Sequence, residues 1–89
     1  MDGEVLRDRY RVLEVVGRGG EGELVRAHDS MHDRPVALKI RTLGPGEDRD
    51  AVVAEARTLL DVAPHLNLPR VREDFFDGDR YVLVADWIE

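Results

Sequence analysis

Lys39 is the only lysine in the chain, and the other twelve basic residues are arginines. It lies in Val36-Ala37-Leu38-Lys39-Ile40, an apolar run that reads as a strand. Seventeen positions upstream ends a second cluster, Gly17-Arg18-Gly19-Gly20-Glu21-Gly22. An ammonium is a compact point charge on a thin stem, and arginine does not replace it where such a charge must reach a phosphate. Glycines without Cβ atoms let the backbone and its N–H groups approach phosphates closely. A glycine-rich cover with one lysine beneath it is chemistry for holding a nucleotide's phosphates.

Taken alone, Gly17-x-Gly19-x-x-Gly22 also fits a flexible hairpin turn. Its surroundings narrow the choice. In a dinucleotide-binding fold the last glycine opens a helix, but here Gly22 is followed by the strand-like Glu23-Leu24-Val25-Arg26-Ala27. A Lys-Ser/Thr pair directly after the glycines is absent too. What remains is a glycine-rich turn between two antiparallel strands. On the strand of Lys39, Val36, Leu38 and Ile40 share one face and Ala37 shares the other with the lysine. A small residue beside the lysine leaves room for a flat ligand; a solvated strand lysine is the plainer reading.

Glu55 is the candidate partner. Val52, Ala56, Leu59, Leu60 and Ala63 follow helical spacing, and at 100° per residue Glu55 falls at the border of that stripe. Glutamates are seldom buried without a cation, and Lys39 lies on the strand that precedes this helix. The alternative is that Glu55 reaches water at the stripe's edge or pairs with an arginine.

The elements that must position these groups are legible in outline. Tyr10 to Gly17, Glu23 to His28, Pro35 to Arg41, Val71 to Phe76 and Tyr81 to Asp86 read as strands. A helix runs from about Asp48 to Val62 and stops at Pro64. Asp77-Gly78-Asp79 joins the last two strands as a hairpin turn. Hairpins plus one helix describe an α+β domain with a five-stranded antiparallel sheet, not a repeated βαβ unit.

Composition sets the bounds. The chain has 89 residues, enough for one small domain. Its net charge of −6 argues against a nucleic-acid surface. It has no cysteine, hence no disulfide framework or thiolate metal site, and His28, His32 and His65 lack metal-ligand spacing. No signal peptide or membrane-length apolar run is visible, so a cytoplasmic location is expected.

At this point the sequence resembles the N-terminal, ATP-binding lobe of the bacterial Ser/Thr protein kinases related to the eukaryotic ones. Gly17 to Leu24 looks like the glycine-rich loop, and Val36-Ala37-Leu38-Lys39 like the Val-Ala-Ile-Lys strand. Ala54-Glu55-Ala56 looks like the glutamate of the lobe's helix. His65 to Val71 resembles the approach to the fourth strand, and Tyr81 to Glu89 the fifth strand running into the hinge. The resemblance implies residue roles. Gly17, Gly19 and Gly22 would cover the phosphates of ATP, and Lys39 would bind them, held by Glu55. Leu24 and Ala37 would roof the adenine, while Asp86 and Ile88 would offer it backbone groups. Ala85 would be a small gatekeeper with an open pocket behind it.

Leu24 stands where the family usually has valine, and Glu21 puts a carboxylate at the loop tip. The His-Arg-Asp and Asp-Phe-Gly motifs, which supply the catalytic base and a Mg²⁺ ligand, are not in these residues. The expectation is therefore that residues 1–89 are one lobe of a longer kinase, not competent alone. The C-terminal lobe would carry the Mg²⁺ ligands, and a protein would be the substrate. The surface facing that lobe is expected to be apolar and to favour self-association. A pseudokinase-type regulatory or interaction module is the alternative.

Overall fold

The computed structural model describes residues 2–19, 22–62 and 70–88. Six strands form one antiparallel sheet: β1 (Val5–Leu6), β2 (Tyr10–Gly19), β3 (Gly22–Asp29), β4 (Arg34–Thr42), β5 (Val71–Asp77) and β6 (Arg80–Asp86). Among the described residues a single helix, α1 (Arg49–Val62), lies between β4 and β5 in sequence. The order across the sheet is β1-β2-β3-β4-β6-β5. The five expected strands are all present. The sixth, β1, is two residues long and carries too little periodic signal to register as a strand. Its turn into β2 puts Arg7 and Asp8 at φ 54° and 53°, a conformation usually advertised by Asn-Gly or Asp-Gly.

Alternation along the strands sorts side chains onto two faces. On one face Leu6, Tyr10, Val12, Val25, Ala27, Val36, Leu38, Ile40, Val82 and Val84 form the main core. Phe75 closes it, its ring stacked on Tyr10 with centroids 5.9 Å apart; burial pushes the Tyr10 phenol up to about 12. The sheet curls round this core until its outer strands meet. Arg7 and Arg9, flanking the β1–β2 turn, both donate to the Glu73 carboxylate on β5, at 2.8 and 3.2 Å. Arg80 on β6 forks onto Glu4, just before β1, at 3.1 and 2.6 Å. These bonds join the two ends of the sheet across a separation of more than 60 residues in sequence.

Arg9 also makes a two-pronged bond to Asp29, at 2.7 and 2.9 Å. Asp29 is the one buried charged residue among those described. It further accepts the Met31 N–H at 3.0 Å. With its charge so paired, the carboxyl is held far below the usual carboxylate range, chiefly by the bond to Arg9.

The opposite face carries Ala37, Lys39 and Arg41 of β4 and, across from them on β6, Ala85, Leu83 and Tyr81. Helix α1 covers part of this face. Its start is capped by Asp48, whose carboxylate accepts the Asp50 N–H at 3.0 Å. Val52 enters a second apolar cluster with Leu43, Tyr81 and Leu83, and Val53, Ala56 and Phe76 pack around it. Val52 and Ala56 thus lie on the buried stripe, as their spacing predicts. The side chains of Leu59 and Leu60, together with Ala63, Pro64 and the segment from His65 to Pro69, fall outside the described residues. Two arginines fix the helix to the β5–β6 hairpin. Arg49 donates to the Gly78 carbonyl at 2.7 Å, and Arg57 to Asp74 at 3.2 Å. Asp74 also accepts the Tyr81 hydroxyl.

Candidate functional site

The glycine cluster is more regular than a flexible turn. Gly17 pairs with Leu24, Arg18 with Glu23 and Gly19 with Gly22, so the ladder runs to the end of the hairpin. Gly20 and Glu21 lie outside the described residues. The three candidate glycines divide by role. Gly22 has φ +121°, and a Cβ there would sit 2.2 Å from the Ile40 carbonyl oxygen and 3.1 Å from its carbon. Only glycine fits where this hairpin crosses so close to β4, one residue beyond Lys39. Gly17 and Gly19 have ordinary φ, and a Cβ on either meets no described atom within 4 Å. Among the described residues nothing requires glycine at these two positions. The space above them is open to a ligand.

Lys39 stands directly between Leu24 on β3 and Leu83 on β6. Its stem can lie along both side chains while the ammonium reaches outward, and the residue is half-buried. Nearby arginines are neutralised. Arg18 pairs with Glu23 at 3.4 Å, Arg26 with Glu14 at 3.1 Å and Arg41 with Glu47 at 2.8 Å. Among the described residues Lys39 is in no ion pair. The arrangement leaves one uncommitted ammonium below a hairpin whose glycines face open space, which is a fit for an anion.

The expected Lys39–Glu55 pair is not formed. Glu55 is exposed, and among the described residues no ion pair joins it to Lys39. The periodicity placed Glu55 at the stripe's border correctly, but α1 is held toward β5 and β6 by Arg49, Val52 and Arg57. That anchorage turns the border residue to water, which is the alternative the sequence left open.

Ala37 is adjacent to Ala85 across the β4–β6 ladder, and both are buried. Leu24, Ala37, Lys39 and Ala85 therefore share one face; alternation along the strand places Ala37 with Lys39. Asp86 ends β6 opposite Val36, and its carboxylate is gripped by Arg72 at 2.9 and 3.0 Å. That grip holds the Asp86 carboxyl below its usual range. Ile88, two residues on, is exposed.

Two features of the site escaped the sequence. Val16 is bulged out of the β2–β3 ladder between Val15 and Gly17 and is 48% exposed at the edge of the glycine hairpin. The doublet Val15-Val16 was its signal, because two adjacent apolar residues break a strict alternation. Arg26 faces Ala37 across the β3–β4 ladder and lies over the Trp87 ring; only the register reveals it. Among the described residues no group of three or more His, Asp or Glu could hold a metal. No described helix is long and apolar enough to cross a membrane.

No protein-family profile matches the chain. Individual relatives do. It is 31% identical over 94 residues to serine/threonine-protein kinase C of Synechocystis, a match covering 96% of this chain and 18% of that protein. It is 36% identical over 83 residues to the DNA damage-responsive serine/threonine-protein kinase RqkA of Deinococcus radiodurans, covering 83% and 12%. A third match, 28% identical over 92 residues, is serine/threonine-protein kinase PrkC of Bacillus subtilis, covering 98% and 14%. The chain thus spans less than a fifth of the length of these relatives. The curled antiparallel sheet with its single helix agrees with those matches, and together they place the chain in the Ser/Thr protein kinase family, as the counterpart of its N-terminal lobe.

Proposed function

We propose that this chain is the ATP-binding lobe of a protein kinase that transfers the γ-phosphate of ATP to Ser/Thr hydroxyls of a protein. The observation that carries the reading is the Lys39 ammonium, in no ion pair among the described residues, beneath a glycine hairpin whose Gly17 and Gly19 would meet no described atom if they carried a Cβ. In this role the backbone of Gly17 to Gly22 approaches the phosphates, and Lys39 donates to their oxygens. Leu24 and Ala37 offer an apolar surface to the base, bordered by Ala85, with backbone groups of Asp86 and Ile88 at its edge. Bound Mg²⁺ would neutralise phosphate charge. Its ligands, the catalytic base and the protein-substrate surface are assigned to a second lobe, so residues 1–89 alone orient phosphates without transferring them. The side facing that lobe is the proposed surface for self-association.

Glu55 enters only if α1 turns or shifts to bring it to Lys39, at the expense of the Arg57–Asp74 contact. The open pair also favours a second reading, a pseudokinase-type module that uses the fold for contacts. Calorimetric titration with Mg-ATP separates the two. One charge-assisted hydrogen bond is worth about 1.5–3 kcal/mol, so Lys39→Met is expected to weaken binding by about 10- to 100-fold. Melting should not change, because among the described residues Lys39 holds no other side chain by charge. Equal, measurable affinity in both proteins would refute the role of Lys39.

A further inference from the structure

Arg26 is tied on two sides. Its Nε donates to Glu14 Oε1 at 3.1 Å, directly across the β2–β3 ladder. Its guanidinium carbon lies 5.9 Å from the centroid of the Trp87 ring. Trp87 belongs to neither strand of that hairpin; it follows β6, two strands away, in the segment proposed to meet the base. Between them lies Ala37, level with Arg26 on β3 and with Ala85 on β6. No large side chain on β4 stands in this row, so the arginine spans it. Glu14, Arg26, Ala37 and Ala85 thus form one line across four strands, and Trp87 stands at its end.

We propose that Arg26 is a positioning residue that latches the glycine hairpin to the segment after β6. The β2–β3 hairpin must hold a fixed height above Lys39 for its backbone to meet phosphates. Beyond the ladder with β4, which ends for β3 at Glu23, the described residues give it few anchors on this face. A planar guanidinium bonded to one strand and lying over an aromatic ring on another resists lifting of the hairpin. It also closes the outer edge of the Ala37 row. The consequence for nucleotide binding rests on the function proposed above; the latch itself does not.

Trp87 is the only tryptophan in the chain, so its fluorescence reports on the latch directly. The test compares wild type, Arg26→Met and Glu14→Gln, by acrylamide quenching of Trp87 and by amide exchange of residues 14–18 and 23–26. A cation–π contact at a part-exposed site corresponds to about a two- to fivefold change in a local opening equilibrium. Arg26→Met should speed exchange in the hairpin by that factor and make Trp87 easier to quench. Glu14→Gln keeps the guanidinium and should keep Trp87 shielded. If Arg26→Met leaves both readouts at wild-type values, the latch is refuted. If Trp87 becomes accessible but hairpin exchange is unchanged, positioning is refuted as well. Adding Mg-ATP to each protein separates the two proposals. A latch signature with no response to Mg-ATP overturns the nucleotide reading and leaves the latch standing. A nucleotide response that is identical in wild type and Arg26→Met overturns the positioning role of Arg26 in nucleotide binding and leaves the nucleotide reading standing.

Discussion

Replacing Gly22 by alanine tests the division of labour among the glycines. The new Cβ would lie 2.2 Å from the Ile40 carbonyl oxygen, far inside contact distance, and the atoms it meets are backbone, which cannot swing aside. Relief requires β3 to move off β4 at its glycine end. The backbone at φ +121° adds a second cost, since a side chain rarely adopts it. Strain of that kind costs about 1–3 kcal/mol, and overpacking about 1–3 kcal/mol more. The sum, about 2–6 kcal/mol, is a large part of the stability of a domain this small, about 4–13 kcal/mol at typical per-residue values. At about 4–8 °C per kcal/mol for this size, Gly22→Ala should melt at least about 8 °C below wild type. Gly17→Ala and Gly19→Ala meet no described atom and should melt within about 4 °C of it, since surface changes stay near ±0.5 kcal/mol. Thermal unfolding followed by far-ultraviolet circular dichroism and by Trp87 emission reads all three. Wild-type melting of Gly22→Ala would show that the hairpin does not cross β4 as described. Destabilisation of Gly17→Ala equal to that of Gly22→Ala would remove the argument that Gly17 is kept for a ligand.

Two further outcomes follow from the packing. The Asp29 carboxyl titrates lower folded than unfolded, so its contribution is fully present above the ordinary carboxylate pKa and is lost as pH falls below about 4. Asp29→Asn should therefore cost about 3 kcal/mol at neutral pH and flatten the acid limb of a stability–pH curve; an unchanged acid limb would refute the assignment. Val52→Ala deletes the buried contact of α1 with Leu43, Tyr81 and Leu83, at a cost of about 2 kcal/mol. Amide exchange should rise in α1 far more than in β2–β4, and uniform loosening would show that helix and sheet share a single core.

Most of the fold could be read from residue order because its strands alternate cleanly. Val36, Leu38 and Ile40 all reach the main core, while Ala37 and Lys39 take the other face. The sharing of a face by Ala37 and Lys39 was equally legible, since alternation determines it; that Leu24 and Ala85 join them follows from the strand register. Long-range placement was not. The pairing of Glu55 with Lys39 depended on where the whole helix sits, and that is set by Arg49 on Gly78 and Arg57 on Asp74, contacts 29 and 17 residues apart in sequence. No periodicity contains them. Strand β1 was hidden for a related reason. Two residues carry no pattern, and the turn at Arg7-Asp8 lacks the glycine that usually marks such a conformation. It is accompanied instead by ion pairs to Asp29 on the neighbouring strand and to Glu73, which only the closed sheet brings within reach.

The two-faced sheet makes the turn between β3 and β4 a sensitive place for changes of length. Asp29 and Arg34 close that turn as a pair, with Ser30 to Asp33 between them. Deleting or inserting one residue there, if β3 held its place, would shift β4 by one position against its neighbours and invert it. Leu38 would then face outward and Lys39 would enter the apolar core, so one missing codon would spoil both stability and phosphate chemistry. A change of two residues restores the inside and outside of the strand but moves Lys39 about 7 Å along it, out of line with Leu24 and Leu83. The length of this turn is therefore more tightly constrained than its composition, and among homologous chains substitutions there should far outnumber insertions and deletions.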